Sequence, residues 1–286
     1  GAVRKAGRVA HHDVQVIGVC RWSYPSDAAG FRRAGVDLAA TRRRLYAPAR
    51  LEHRLFLLEH LVLPALRHQT DPDFTLLFLM GDRLPRPWRD RVLGLIEGVP
   101  QIRPVLAEEG QNQFELCRRE IAAIRRRDAI ATAQFRLDDD DAVSVRFVAR
   151  ARALFALQQP LFAQNGLLGL DFCRGFLFRA LGDRCSFTPV SMRFWAPGMM
   201  LFIGPQDERC VLDFHHLRIW HYMPTLTWMK RPMFVRGAHH DNDSDISRLG
   251  RRTRGFDFPR HRIAPHLRRR FAIDAAALRT EWDARK

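Results

Sequence analysis

Four apolar, strand-like runs alternate with helical patterns over the first 150 residues. The runs are "DVQVIGVCRW" at 13–22, "FTLLFLMGD" at 74–82, "QIRPVLAEE" at 101–109 and "AIATAQFRL" at 129–137. Periodicity and boundary residues predict helices over 49–69, 84–100, 113–127 and 145–158. Short apolar strands between helices are typical of buried parallel sheets. The pattern therefore predicts an α/β fold, Rossmann-like, with a mostly parallel sheet flanked by helices.

The chain changes character after residue 165. Shorter segments rich in aromatic and turn residues follow, namely "LLGLDFCRGFLFRA" at 167–180, "CSFTPVSMRFW" at 185–195 and "GMMLFIGP" at 198–205. They predict a smaller antiparallel or irregular C-terminal half that packs against the first. From about residue 245 the sequence is basic and has little apolar periodicity before a short helix near its end. We expect one domain that closes with a basic tail.

Four consecutive carboxylates, Asp138, Asp139, Asp140 and Asp141, follow the fourth predicted strand. In open parallel sheets, ligands bind beyond the carboxyl ends of the strands. Side chains alternate along a strand, so Asp138 and Asp140 should face one way and the other two the opposite way. Clustered carboxylates repel unless a cation lies among them, and oxygen ligands favour Mg²⁺ or Mn²⁺. The alternative is a solvated acidic turn in which Asp141 caps the next helix.

Charge and cysteine content limit the class of protein. The formal net charge is +16, almost all of the excess being Arg, which indicates an anionic partner or simply a GC-rich coding sequence. Five scattered cysteines without a CxxC pair suggest neither a disulfide framework nor a zinc site. No apolar run approaches the roughly 18 residues of a membrane span. We expect a cytoplasmic protein, with peripheral contact to an anionic inner membrane face left open.

Three segments together carry a family resemblance. They are "LPALRHQTDPDFTLLFLMGDRLP" at 63–85, "RLDDDDAVS" at 136–144 and "RPMFVRGAHHDNDS" at 231–244. This combination resembles the putative rhamnosyl transferase family of bacterial glycosyltransferases with the GT-A fold, and the likeness runs from about residue 14 to 245. It implies a single GT-A-like domain over 1–286. Its nucleotide-sugar-binding half is 13–145, its acceptor-binding half 146–245, and its basic tail 246–286.

The resemblance implies a metal site of the DxD type. Asp138 and Asp140 become the pair that holds Mn²⁺ or Mg²⁺ against the donor diphosphate, with Asp139 or Asp141 touching the ribose or the metal. A later His often completes the coordination, which points to His239, with His240 as the alternative. Imidazole suits Mn²⁺ better than Mg²⁺. A polar surface turn would account for the same two histidines.

Further donor contacts follow from the implied fold. Arg21 leaves the first strand where such enzymes hold the nucleotide, so it could pair with phosphate, and Trp22 could pack near the base. Asp82 ends the second strand, a usual place for an acid that reads a pyrimidine. Arg118 or Arg119, on the helix before the acid run, could reach the diphosphate. The alternative is that these side chains are ordinary residues of solvated loops or of a solvent-facing helix surface.

An inverting transferase also needs a carboxylate that takes the proton of the acceptor hydroxyl. The preferred candidates are Asp207 and Glu208, because "GPQDE" ends an apolar, strand-like run. Asp171, Asp183 and Asp213 are the other candidates. Any one of the five could be an ordinary loop acid.

Aromatic and imidazole groups concentrate in "DFHHLRIWHYMPT" at 213–225. Such rings line sugar-binding clefts, so Trp220 and His221 are predicted to contact the acceptor. Buried structural aromatics would produce the same string.

The leading interpretation is a metal-dependent glycosyltransferase that moves a sugar, conceivably rhamnose, from a nucleoside diphosphate to a glycan or lipid-linked acceptor. A metal-dependent phosphoesterase or nuclease is the first alternative, although it would need acids dispersed over several strands. A non-catalytic nucleic-acid-binding protein is the second. It explains the positive charge but not four acids at a strand end, which would repel phosphates.

Overall fold

The computed structural model describes residues 13–27, 37–181, 184–238 and 254–285. These residues form two β-sheets with helices packed on them, which confirms the predicted α/β class. The strands are β1 (Val14–Arg21), β2 (Thr75–Gly81), β3 (Ile102–Ala107), β4 (Ala131–Asp138), β5 (Ala142–Val143), β6 (Leu167–Phe172), β7 (Arg174–Leu181), β8 (Arg184–Ser191), β9 (Met199–Ile203), β10 (Thr225–Trp228) and β11 (Phe234–Gly237). The helices are α1 (Leu38–Leu45), α2 (Pro48–Leu57), α3 (Leu63–Arg67), α4 (Arg86–Ile96), α5 (Gln113–Ile124), α6 (Phe147–Asn165), α7 (Ile263–Phe271) and α8 (Ala275–Asp283).

The main sheet has seven strands in the order β10-β6-β9-β4-β1-β2-β3. Every pairing is parallel except those of β9, which runs antiparallel to both β4 and β6. Both faces of the sheet are covered by apolar side chains, since one buried cluster packs under α2, α3, α4 and α6 and a second under α5. The carboxyl ends of β1, β2, β4, β6 and β10 therefore share one edge. We call it the carboxyl edge.

The helix predicted over 49–69 is present but not regular. α2 begins at Pro48, and Leu51 and Leu55 lie on its buried side. A π-helical turn, Leu58–Val62, then separates α2 from α3. Pro64 has no N–H to donate to the preceding turn, which explains why the α-helical hydrogen-bond ladder breaks there.

One helix was not expected from the sequence. α1 lies in a stretch whose Gly, Ala and Arg content suggests a loop, and three Arg crowd its last turn. Its start is stabilised by Asp37, whose side chain accepts a hydrogen bond from the Ala39 N–H. The basic last turn is favourable at the negative end of a helix.

The second half of the chain does not form a separate layer of antiparallel strands. β6, β9 and β10 instead complete the main sheet. β5, β11, β7 and β8 form a second, four-stranded sheet of mixed direction. The proposed halves 13–145 and 146–245 thus share one sheet.

The C-terminal segment is not a free basic tail in its described part. α7 and α8 pack on the second sheet and on α2, where Leu267, Phe271 and Leu278 are 0–1% exposed. The basic side chains Arg260, Arg262, Arg268 and Arg269 remain exposed. The sequence did not predict that the segment packs on the fold, because its buried apolar residues are too few to produce a visible period among so many Arg. None of the helices in the described ranges is long and apolar enough to cross a membrane.

Candidate active site

The four acids lie at the carboxyl edge, in the turn between β4 and β5. Asp138 ends β4 beside Arg21 of β1. Its side chain is about one-third exposed, whereas Asp139, Asp140 and Asp141 are buried. The alternative interpretation, a solvated acidic turn, is therefore incorrect. Three carboxylates that are removed from water need cationic or hydrogen-bonding partners.

Asp138 faces two arginines. Arg21 Nη2 lies 3.5 Å from Asp138 Oδ1, and Arg21 also donates to Gln113 Oε1. Arg136 precedes Asp138 by two residues and so lies on the same side of β4. Burial opposes ionisation of Asp138, but Arg136 and Arg21 outweigh it and hold the pKa of this carboxyl below its usual value. These two arginines therefore favour the ionised form of Asp138.

Asp139 points to the opposite side of β4 and pairs with α2. Arg54 Nη1 lies 2.6 Å from Asp139 Oδ1 and 3.4 Å from Asp140 Oδ2. The Ser23 N–H donates to Asp139 Oδ2 at 3.3 Å. Arg54 is only 4% exposed, so this is a buried ion pair that ties the acid turn to α2. The sequence contains a signal for it, since Arg54 interrupts the apolar stripe of an amphipathic helix.

Asp141 is the least satisfied of the four acids. Its Oδ1 accepts a hydrogen bond from the Gly237 N–H at 3.1 Å, while its Oδ2 is buried and has no hydrogen-bond partner. Burial, and next the negative charge of Asp140, raise the pKa of Asp141 well above its ordinary value. A divalent cation would relieve both the desolvation and the repulsion. The carboxylate oxygens of Asp138, Asp140 and Asp141 therefore have the chemistry that a hard cation prefers.

The described residues do not by themselves complete a metal site. Within them, no group of three or more His, Cys, Asp and Glu side chains is arranged so that it could hold a metal ion. The predicted ligand His239 and its alternative His240 lie outside the described residues.

The donor-side predictions divide into three outcomes. Arg21 and Asp82 lie at the carboxyl edge, where exposed Asp82 follows β2 and accepts a hydrogen bond from the Glu109 N–H at 3.2 Å. Trp22 does not line a nucleotide site, because it is fully buried in the core. Arg118 does not approach the acids either, since its Nε donates to Asp213 Oδ1 at 3.1 Å.

Comparison with known proteins identifies the family. The family model described as putative rhamnosyl transferase matches residues 15–251. The chain belongs to this family. The matched residues include every strand of the seven-stranded main sheet except the first residue of β1. No curated protein matches the chain significantly.

Solved structures show only a distant likeness to this member of the rhamnosyl transferase family. The S. aureus TarS fragment 1–349 has a TM-score of 0.44 at 8% identity, with 78% of this chain and 60% of that chain covered. The same fragment in complex with UDP-GlcNAc has a TM-score of 0.44 at 6% identity, with 80% and 60% covered. A putative glucose-1-phosphate thymidylyltransferase from Bacillus anthracis has a TM-score of 0.38 at 9% identity, with 82% and 93% covered. The chain thus spans about three-fifths of the TarS fragment.

The predicted catalytic pair of this family member lies at the wrong end of the sheet. β9 is antiparallel to β4, and its last residue, Ile203, is in register with Thr132 near the start of β4. Asp207 and Glu208 follow β9 and so lie at the opposite edge, about 20 Å along the strands from the acid turn. The prediction that Asp207 or Glu208 is the catalytic base is therefore wrong, because neither side chain lies near the acid turn.

Local ion pairs explain what these two acids do. Asp207 is held 2.6 Å from Arg209 Nη2, and Glu208 lies 2.9 Å from Arg127 Nη2. Arg125 donates to the Asp207 and Arg209 carbonyls. The basic run at 125–127 thus stabilises the loop after β9.

The predicted acceptor residues lie at the carboxyl edge. Trp220 is 55% exposed and packs on Phe194 with ring centroids 5.4 Å apart, and exposed His221 lies beside it. The Phe194 N–H donates to Asp171 Oδ1 at the end of β6. Asp171, another candidate base, is fully buried and also accepts from the Thr227 hydroxyl. It therefore acts as a structural acceptor in this arrangement.

Sequence reasoning missed most of the cations around the acids. Arg136 lowers the pKa of Asp138, and Arg236, which lies 4.9 Å above the Trp195 ring, acts in the same direction on Asp141. Arg136 could have been found from its two-residue spacing to Asp138 on one strand. Arg236 and Arg54 are brought to the site only by the packing of β11 and α2 against β4.

Proposed function

We propose that this protein is a metal-dependent glycosyltransferase that takes a sugar from a nucleoside diphosphate and passes it to a glycan or lipid-linked acceptor. The observation that carries the proposal is the buried acid turn at the carboxyl edge, interleaved with Arg21, Arg136 and Arg236. A mixed cluster of this kind is complementary to a ligand that brings both a cation and phosphates. Family membership supports rhamnose as the transferred sugar.

Each group has a distinct part in the proposal. Asp138 and Asp140, together with His239, would hold Mn²⁺ or Mg²⁺, and Asp141 would touch the metal or the ribose. The ion would supply Lewis-acid stabilisation of the charge on the leaving diphosphate. Arg21 and Arg136 contact the phosphates, and Asp82 contacts the base. Asp139 keeps the turn in place through Arg54.

Acceptor contacts complete the proposal. Trp220 and His221 present an exposed aromatic face and a polar ring near the end of β6, where the acceptor sugar stacks. A lipid-linked acceptor would bring the protein to the inner membrane face.

The first test is the thermal stability of the purified protein with UDP, GDP, dTDP, CDP or ADP, each with and without Mn²⁺. A ligand that binds only the folded state adds about 2.7 kcal/mol at 100 times its Kd. We expect one diphosphate to stabilise the protein only when Mn²⁺ is present. Stabilisation by oligonucleotides alone would support the nuclease or nucleic-acid-binding alternatives instead.

Asp140→Asn tests the site itself. The change removes one negative charge with little change in shape, so the Mn²⁺-dependent shift should disappear while the stability without ligand is retained. Asp207→Asn is the matched control, because Asp207 lies at the opposite edge, and it should keep the full shift. A shift that survives in Asp140→Asn would contradict the proposed metal site.

A further inference from the structure

A strongly basic cavity lies near the acid turn, and none of the residues that line it has been given a role above. Its volume is about 270 Å³. It opens between the start of α6, the loop after β10 and the end of α7. Five cationic side chains and one aromatic ring line it: Arg146, Arg150, Lys230, Arg231, Arg270 and Trp228. Among the described residues, no acidic side chain contributes to its wall.

In the described part of the chain, none of these five cations has a carboxylate partner. Elsewhere the chain matches buried or half-buried Arg with carboxylates, as in the pairs of Arg42 with Glu109 and Arg152 with Asp71. Among the described residues, no ion pair involves any of the five cavity cations. Like charges that are gathered in one cavity repel one another, and a bound ligand of opposite charge would offset that repulsion.

The repulsion between these cations is clearest at Arg270. Its Nε is buried and has no hydrogen-bond partner. Burial first, and then the positive charges of Arg231, Arg146, Arg269 and Arg150, lower its pKa. An unpartnered buried N–H beside four like charges is a donor that is ready for an anion.

The cavity is also held in shape. Trp228 lies between two of its cations, with Arg150 5.1 Å and Lys230 5.3 Å from the ring centroid. Cation–π contacts of this kind keep long side chains in place. The backbone around the cavity is fixed as well, since Ser144 N–H donates to the Met233 carbonyl and Val145 N–H to the Arg270 carbonyl.

We propose that this basic cavity binds a phosphate group, at a site separate from the donor diphosphate. Several Arg side chains converging on one cavity match the tetrahedral oxygens of phosphate, which guanidinium binds with paired hydrogen bonds. The volume holds a phosphate or diphosphate group.

Its position suggests which phosphate is bound. Ser144, in the cavity wall, follows Asp141 by three residues, so their Cα atoms are at most about 11 Å apart. A phosphate in the cavity therefore lies beside the transfer site. Resting on the proposed function, the natural occupant is a phosphate carried by the acceptor.

The test uses inorganic phosphate and pyrophosphate as probes, without metal, and measures binding by titration calorimetry and thermal stability. Arg231→Gln and Arg270→Gln should each weaken binding at least tenfold. Arg268→Gln is the matched control, because Arg268 is exposed on the same helix and does not line the cavity, and it should stay within twofold of the native protein. Equal losses in all three variants, or no phosphate binding by the native protein, would overturn the proposal.

Stability without ligand provides a second readout. At low ionic strength, Arg231→Gln should melt at a higher temperature than the native protein, because it removes repulsion on Arg270. Saturating phosphate should reverse this order. A variant that is less stable under both conditions would show that Arg231 has only a structural role, and would count against the proposal.

Two further arms separate the sources of phosphate and the two proposals. Nucleoside diphosphate with Mn²⁺ should bind Arg231→Gln as it binds the native protein. Loss of that binding would show that the cavity is part of the donor site. It would overturn the proposed separate phosphate site and leave the transferase proposal standing. Phosphate binding without any nucleotide response would leave the cavity site standing and remove the transferase proposal. Vesicles of phosphatidylglycerol that bind through Arg231, with no response to soluble phosphate, would replace the proposal with a membrane contact.

Discussion

The contribution of an ion pair to the stability of this protein depends on its burial, since the chemical groups in the pairs are the same. The side chains of Arg54 and Asp139 are 5% and 9% exposed, and Arg54 Nη1 lies 2.6 Å from Asp139 Oδ1. The side chains of Arg91 and Glu52 are 50% and 43% exposed, and Arg91 Nη1 lies 2.5 Å from Glu52 Oε1. Water screens the second pair and not the first. The two pairs therefore form a natural comparison.

Arg54→Met should destabilise the protein by about 3 to 5 kcal/mol, because it leaves Asp139 buried without its cation. Arg91→Met, the surface counterpart, should cost about 1 kcal/mol or less. Urea unfolding followed by circular dichroism gives both values. Similar losses in the two variants would show that the Arg54 pair is not buried in solution.

The buried carboxyl of Asp171 should make stability depend on pH. Burial raises its pKa from 3.8 to about 6, against the opposing effect of the hydrogen bonds from Phe194 N–H and the Thr227 hydroxyl. The folded state therefore keeps a proton that the unfolded state loses, and stability falls as pH rises from about 4 to 6. The contribution of this residue amounts to roughly 3 kcal/mol at most.

Asp171→Asn removes that titration with little change in shape. Its free energy of unfolding should rise relative to the native protein as the pH increases from 4 to 7. Urea unfolding at several pH values measures the difference. Parallel curves for the two proteins would contradict a raised pKa at this position.

At the scale of elements, the acid turn is shaped by β11 as much as by its own strand. The Gly237 N–H holds Asp141, and a Cβ on Gly237 would overlap the Asp140 carbonyl oxygen and come within 2.8 Å of its Cβ. Backbone cannot give way as a flexible side chain can. The turn between β4 and β5 therefore depends on a glycine nearly 100 residues away.

Gly237→Ala should displace the acid turn and abolish the Mn²⁺-dependent stabilisation by nucleoside diphosphate. Gly94→Ala is the control, because its Cβ would meet nothing within 4 Å on α4. It should raise stability by about 0.5 to 1 kcal/mol and leave nucleotide binding unchanged. Normal nucleotide binding by Gly237→Ala would argue against the acid turn as the donor site.

At the scale of the whole molecule, the C-terminal helices close a core that the first half begins. α2 contributes Phe56, and the π-helical turn after it contributes Leu61, to a cluster whose other side is Phe271 and Leu278. Residues more than 200 positions apart thus share one apolar interior. The segment after residue 254 is part of the fold.

Phe271→Ala should cost about 3 to 5 kcal/mol, because the ring is fully buried. Leu157→Ala, on a side chain that is 73% exposed, should change the free energy of unfolding by less than about 0.5 kcal/mol. Thermal or urea unfolding tests both. A small effect of Phe271→Ala would restore the view of this segment as a loosely attached tail.

Local sequence pattern was sufficient to predict most of the strands and helices in the first half of the fold. The four early strands, and the helices predicted between them, begin and end within a few residues of their predicted bounds, because each depends on its own apolar period and on Pro, Gly and Asn at its ends. α1, which has no such period, was not predicted. The acid run was also placed correctly at the carboxyl end of β4, since that position depends only on the direction of one strand. Arg21 and Asp82 follow from the same rule.

Only the tertiary structure decided the direction of β9, and with it the fate of Asp207 and Glu208. An apolar run of five residues reads the same in a parallel or an antiparallel strand, so sequence could not say at which edge those acids emerge. The partners of the acid turn, Arg54, Arg236 and Gly237, come from elements remote in the chain. Sequence by itself determined strands β1 to β4 and the cluster of acids, because both follow from local periodicity. Packing between distant elements decided how β6, β9 and β10 complete the sheet and which charges surround the acids.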